Sequence, residues 1–168
     1  MKADIINPFM ETVTDILLTM AEMNCQRQPV FLKHEANTPG DIVAVMPLQG
    51  DSFRGAFVLA LDGSTACNIG EKLLREPMTF PSDACLDMTG ELANMVSGGA
   101  RKRLWQQGYD FEMSQPTIEL SQSFKGMPLN STLVIPFKTP AGSLWVEVWL
   151  KSILPQARLS FGQTTNVG

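Results

Sequence analysis

Asp87, Glu91 and Asn94 fall four and then three residues apart within the stretch DMTGELANMVSGGARKRL, Asp87 to Leu104. Those intervals bring side chains onto one face of a helix. A row of two carboxylates and a carboxamide offers acceptors to a cation and, at the amide, a donor as well. Three glycines, Gly90, Gly98 and Gly99, interrupt the same stretch, each at a cost of roughly 1 kcal/mol of helix stability relative to alanine. On a wheel of about 100° per residue, Asp87, Glu91, Asn94, Gly98 and Arg101 share one side, with Gly90 at its border. Cys85, Leu86, Met88, Leu92, Ala93, Met95, Val96, Ala100 and Leu104 fill the opposite, apolar arc. Gly99 lies on the inner arc, where close packing on a sheet explains it. Gly90 and Gly98 lie on or beside the outer row, where close approach of another molecule explains them. Taken alone, Glu-x-x-Asn is the composition of a solvated helix face. Its surroundings must decide.

Other chemistries find little support. His34 is the single histidine, there is no G-x-S-x-G, and His34 reads as structural. Cys25, Cys67 and Cys85 show no C-x-x-C or metal-like spacing and read as buried thiols in a reducing cytoplasm. No phosphate-cradling glycine loop and no metal-ligand cluster is apparent. A net charge of −4 gives no electrostatic footprint for nucleic acid. Arg101, Lys102 and Arg103 read as partners of a helix macrodipole. No apolar run is long enough to span a membrane, and Asp4, Glu11 and Asp15 are unlike a signal peptide.

The elements that would carry the row follow from periodicity. An amphipathic helix is expected from about Pro8 to Met23, with Phe9, Val13, Ile16, Leu17 and Met20 on its apolar face and Pro8 in its first turn. PVFLKHEA, DIVAVMPL and FRGAFVLAL read as strands separated by turn compositions. DGSTACNIGEKLL reads as a second helix, and a third runs from about Asp83 to Gln106. PTIEL, STLVIPFKT and SLWVEVWLKS are strands again. The order is helix, three strands, two helices, three strands. Short turns imply antiparallel pairing, so the class is α+β, a largely antiparallel sheet packed with helices. The 168 residues form a single domain, with a tail over 155–168 expected to be poorly ordered. In the last strand Leu144, Val146, Val148 and Leu150 alternate with Trp145, Glu147, Trp149 and Lys151. Two tryptophans on the nominally polar face call for cover, from a helix of the same chain or from a second subunit.

With Pro116 added, 22 residues beyond Asn94, the pattern Asp87, Glu91, Asn94, Pro116 resembles the signature of the CheC/CheX/FliY family of response-regulator phosphatases. NPFMETVTDILLTM, PGDIVAVMPLQGD, GAFVLALDGSTA and GYDFEMSQPTIEL extend the resemblance, in order, to the single-motif CheX branch over roughly Ile6 to Ser152. Where the two-motif CheC branch carries a second Glu-x-x-Asn, this chain has Glu11, Thr12, Val13 and Thr14, with threonine in the amide's place.

The resemblance implies a CheC-like fold with one active site per chain. It implies a cytoplasmic homodimer and hydrolysis of the phosphoaspartate of a CheY-like receiver. Asn94 would orient the attacking water and Glu91 would dock the receiver's lysine. Asp87, Gly90, Gly98 and Pro116 would contact the partner. No cofactor of its own is expected, with Mg²⁺ carried by the receiver, and neither nucleic acid nor membrane is a partner. Two other readings stand beside it: a non-catalytic receiver-binding or flagellar-switch adaptor, and a small-molecule binder with a cleft between helix and sheet.

Overall fold

Helix α1 (Ala3–Ala21) begins well ahead of Pro8, which lies inside it rather than in its first turn. Proline removes one bond from the helical ladder. Burial of Ile5, Ile6 and Phe9 offsets that loss, since a fully buried aliphatic or aromatic side chain contributes about 1.5–3 kcal/mol. The apolar face matches expectation at Phe9, Val13 and Leu17, whereas Met20 is exposed. The computed structural model describes residues 3–153, so the tail expectation for 155–168 lies outside the described residues.

Of PVFLKHEA only Phe31–Leu32 (β2) pairs as a strand, and Gln26–Arg27 (β1) adds a second short one. Both lie antiparallel on β7 (Thr132–Thr139). The long strands β3 (Ile42–Gly50) and β4 (Phe53–Leu61) form a hairpin. Then come α2 (Gly63–Leu74) and α3 (Asp83–Gln106), and the short β5 (Phe111–Met113) and β6 (Thr117–Leu120). A single 3-10 turn, Ser121–Ser123, follows. The chain returns through β7 to β8 (Gly142–Ser152). The sheet runs β1-β7-β8-β4-β3-β5, with β2 beside β7 and β6 beside β3, all antiparallel. The α+β order holds, with β1 and β5 as additions too short to carry a period.

Register decides the two faces of the sheet. Leu59 pairs with Val146, and Val146 with Ile135; all three are buried beneath the helices. Phe9 of α1 stacks on Phe57 of β4 with ring centroids 4.8 Å apart. One residue along, Val58 pairs with Glu147 and Glu147 with Val134, on the other face. There Val43, Val58, Ala60 and Met127 form a smaller cluster with Phe124, Trp145 and Trp149. Its cover is therefore the β6–β7 connection, which supplies Phe124 and Met127, and no helix.

That second face also holds a buried ion pair, Lys33 Nζ to Glu147 Oε1 at 2.7 Å. Lys33 donates further to the Asn37 carbonyl at 2.9 Å. Burial pushes the Glu147 carboxyl up, and the Lys33 cation pulls it part of the way back. The pair straps the 33–38 segment onto the sheet.

Candidate functional site

Helix α3 starts where Ser82 accepts a hydrogen bond from the Cys85 backbone N–H at 3.2 Å, an N-cap that satisfies one otherwise unpaired amide. It ends on Gln107, whose N–H returns to Arg103 and Leu104. Its buried residues are Cys85, Met88, Thr89, Leu92, Ala93, Val96, Ser97, Ala100 and Leu104. Leu86 and Met95, expected on the inner arc, are half-buried at its margins. Thr89 and Ser97 are the polar residues among them, and each hydroxyl donates to a carbonyl one turn back, Thr89 to Cys85 at 2.8 Å and Ser97 to Asn94 at 3.0 Å.

The outer row is formed as its spacing predicts. Asp87, Glu91, Gly98 and Arg101 are exposed, and Gly90 and Asn94 are half-buried. No side chain of Asp87, Glu91 or Asn94 is hydrogen-bonded or ion-paired to another described residue; beyond the helical ladder, Asn94 is met only at its backbone carbonyl, by Ser97 Oγ at 3.0 Å. The carboxylates and the amide are therefore available to a partner.

The glycines divide by what a methyl group would meet. At Gly98 an added Cβ would touch nothing within 4 Å, and at Gly90 it would make ordinary contact with Ile118 at 3.6 Å. At Gly99 it would stand 2.5 Å from Thr12 Cγ2. Gly99 thus packs against α1, not against the sheet as expected. Pro116 stands immediately before β6, two residues ahead of the Ile118 that lies beneath Gly90.

Arg103 is more than a dipole partner. Its guanidinium donates to Thr12 Oγ1 at 2.7 Å and to the Asp15 carboxylate, with Glu11 at 3.6 Å. This pins α1 to α3 and engages Glu11. No sequence signal reveals the pairing, which crosses 91 residues.

His34 is exposed, with Nδ1 at 3.0 Å from Asn130 Oδ1. Cys67 and Cys85 are buried and Cys25 is half-buried. Burial pushes the Cys25 and Cys85 thiols up to about 11, so both stay protonated and poorly nucleophilic at neutral pH. On the second sheet face a cleft of about 350 Å³ is lined by Phe31, Leu32, His34, Thr38, Val134 and Trp145. Lys33, the one buried charge in its lining, is already paired with Glu147, so no buried charge of the cleft is left free to orient a small ligand. Among the described residues no group of three or more His, Cys, Asp and Glu could hold a metal ion. No helix of the described residues is long and apolar enough to cross a membrane.

An antiparallel sheet with three helices on one face, presenting an open acidic and amide row, defines a CheC-like domain. The chain is similar to a CheC-like superfamily protein from Shewanella sp. PV-4, with 27% identity and a TM-score of 0.81 over 90% of this chain and 99% of that one. It is similar to the chemotaxis protein CheX from Vibrio vulnificus, with 28% identity and a TM-score of 0.78 over 89% and 100% of the two chains. The fold is shared with the CheX–CheY–BeF3–Mg²⁺ complex from Borrelia burgdorferi, at 22% identity and a TM-score of 0.73 over 89% and 99%. Comparison with curated proteins returned no match. Residues 42–138, more than half of the chain, match the family model for the chemotaxis phosphatase CheX. The chain belongs to that family and is a chemotaxis phosphatase.

Proposed function

We propose that the substrate is the phosphoaspartate of a CheY-like receiver domain, which the outer row of α3 enters as a probe. The observation that carries this is the row itself: a carboxylate and a carboxamide, unengaged within the described chain, beside a glycine with open space around it. The Borrelia relative that shares the fold is a complex with CheY, beryllium fluoride and Mg²⁺, which supports a receiver as partner.

An acyl phosphate is already reactive, so the task left to the phosphatase is to place one water in line with phosphorus. Asn94 suits it, because a neutral carboxamide both donates to and accepts from water without repelling phosphoryl oxygens. Glu91, one turn away, holds the receiver's lysine by a charge-assisted contact. Asp87 extends the acidic docking row. Gly90 and Gly98 keep it slim, and Pro116 borders it at the entry to β6. Mg²⁺ belongs to the receiver, where it neutralises phosphoryl charge. Asp87 and Glu91 supply fewer oxygens than the six or so such an ion takes. The protein acts as a single-domain, cytoplasmic homodimer.

The test is phosphate release from a phosphorylated CheY-type receiver. Asn94→Ala keeps fold and receiver binding near wild type and slows dephosphorylation by ~10²-fold or more. Asn94→Asp, an anion facing an anion, does not rescue it. Glu91→Lys sets like charges against each other and weakens docking instead. A wild-type rate in Asn94→Ala would remove the catalytic assignment and leave a receiver-binding adaptor as the better reading.

A further inference from the structure

The row on α3 does not end at Arg101. Trp105 stands 18 positions beyond Asp87, which at about 100° per residue is a whole number of turns, so its side chain shares the azimuth of Asp87. Trp105 is 66% exposed, more than any other large apolar side chain described. A single exposed apolar residue needs no explanation. This one closes a row in which Asp87, Glu91, Gly98 and Arg101 are all exposed and Asn94 half so.

We infer that Arg101 and Trp105 form a second contact patch for the receiver, with Trp105 as its affinity anchor; this rests on the reading of Glu91 and Asn94 given above. Reach supports the assignment. A helix rises about 1.5 Å per residue, so Trp105 lies about 16 Å along the axis from Asn94, and the row from Asp87 to Trp105 spans about 27 Å. A standard interface removes about 800 Å² from each partner, a disc about 30 Å across. A footprint laid along the whole row therefore covers both Asn94 and Trp105 in one interface. Indoles and guanidinium groups are the side chains that most often dominate such contacts.

Charge supports a receiver as occupant and also fixes its direction. The row is acidic at Asp87 and Glu91 and basic at Arg101, with Lys102 beside it. A receiver that holds Mg²⁺ does so with carboxylates, so its phosphorylation face is anionic apart from the lysine met by Glu91. Arg101, about 10 Å from Asn94 along the axis, is then set against that anionic rim. Reversing the receiver would oppose like charges at both ends. The patch thus selects orientation as well as affinity.

The experiment follows steady-state hydrolysis of a phosphorylated CheY-type receiver, together with titration by the same receiver loaded with beryllium fluoride and Mg²⁺. Trp105 is exposed, so Trp105→Ala should fold normally. It is expected to raise KM and the receiver Kd about tenfold or more, with kcat within about twofold of wild type. Trp105→Phe, which keeps an aromatic anchor, should recover most of the affinity. Arg101→Ala should raise KM several-fold and flatten its dependence on salt. Wild-type KM and Kd in Trp105→Ala overturn the anchor while leaving Asn94 untouched. A changed sedimentation coefficient for Trp105→Ala with unaltered hydrolysis assigns the patch to a second copy of the chain, and also overturns it. A wild-type protein that neither binds nor hydrolyses such receivers overturns this inference and the proposed function together.

Discussion

Gly98 and Gly99 are neighbours in the chain with opposite reasons to be glycine. Around Gly98 there is open space, so alanine there should stabilise the helix by about 0.5–1 kcal/mol, its advantage in propensity. The same methyl would stand in the outer row one turn beyond Asn94, where the proposed function needs close approach. Gly98→Ala should therefore melt a few degrees higher while losing several-fold in kcat/KM toward a phosphorylated receiver. At Gly99 a Cβ would sit 2.5 Å from Thr12 Cγ2. Thr12 has little freedom to yield, because its hydroxyl donates to the Pro8 carbonyl and accepts from Arg103. Gly99→Ala should cost about 1–3 kcal/mol through overpacking. Thermal melts and receiver assays on the two variants separate the roles. A Gly98→Ala protein that is more stable and fully active would mean that close approach is not what keeps this position small.

At the level of elements, α2 carries a pH-dependent weakness at its first turn. Asp41 Oδ2 accepts from the Gly63 N–H at 2.7 Å, whereas the N-cap Asp62 makes no side-chain bond to the helix. Burial, and then the neighbouring Asp41 charge, hold the Asp62 carboxyl above its ordinary range. A carboxyl with a higher pKa folded than unfolded is favourable below the unfolded value of ~3.9 and loses that contribution as pH rises through the folded value. Asp62→Asn, still a competent N-cap, should raise Tm by ~1–3 °C at pH 7, and the gain should vanish below about pH 4. An equal or lower Tm at pH 7 would mean that the carboxylate's attraction to the helix dipole outweighs its repulsion by Asp41. The elements also show what periodicity can reach. Helix α3 runs from Asp83 to Gln106 as its pattern predicts, and β3, β4, β7 and β8 are equally legible. Two-residue β1 and three-residue β5 carry no period to read. Pro8 looked like a helix start because a local rule cannot weigh the burial of Ile5 and Ile6. The row at 87, 91 and 94 was legible because it is local. The Arg103 clamp and the Lys33–Glu147 pair were not, because their partners lie 91 and 114 residues apart.

For the molecule as a whole, the tryptophans of β8 are a weaker argument for dimerisation than the far edge of the sheet. Trp145 and Trp149 are already half-covered by Phe124 and Met127. At the β1/β2 edge, in contrast, Val30, Phe31, Leu32 and the nearby Leu129 are 42–51% exposed, and β2 bonds to the sheet only through β7. An apolar, unpaired edge invites a second chain. Helix α3 lies over β3, β5 and β6, at the opposite end of the strand order. A dimer joined at the β2 edge would therefore hold its two outer rows apart and leave each free for a receiver. Sedimentation at micromolar concentration should give twice 18.5 kDa, with two beryllium-fluoride-loaded receivers bound per dimer. Phe31→Glu should yield a folded monomer, since Phe31 is half-exposed and outside the core. That monomer should keep the wild-type rate of receiver dephosphorylation per chain, because every residue of the proposed site comes from one protomer. A wild-type chain sedimenting at 18.5 kDa would remove the dimer. A Phe31→Glu monomer with intact fold but lost hydrolysis would mean that the partner subunit completes the site.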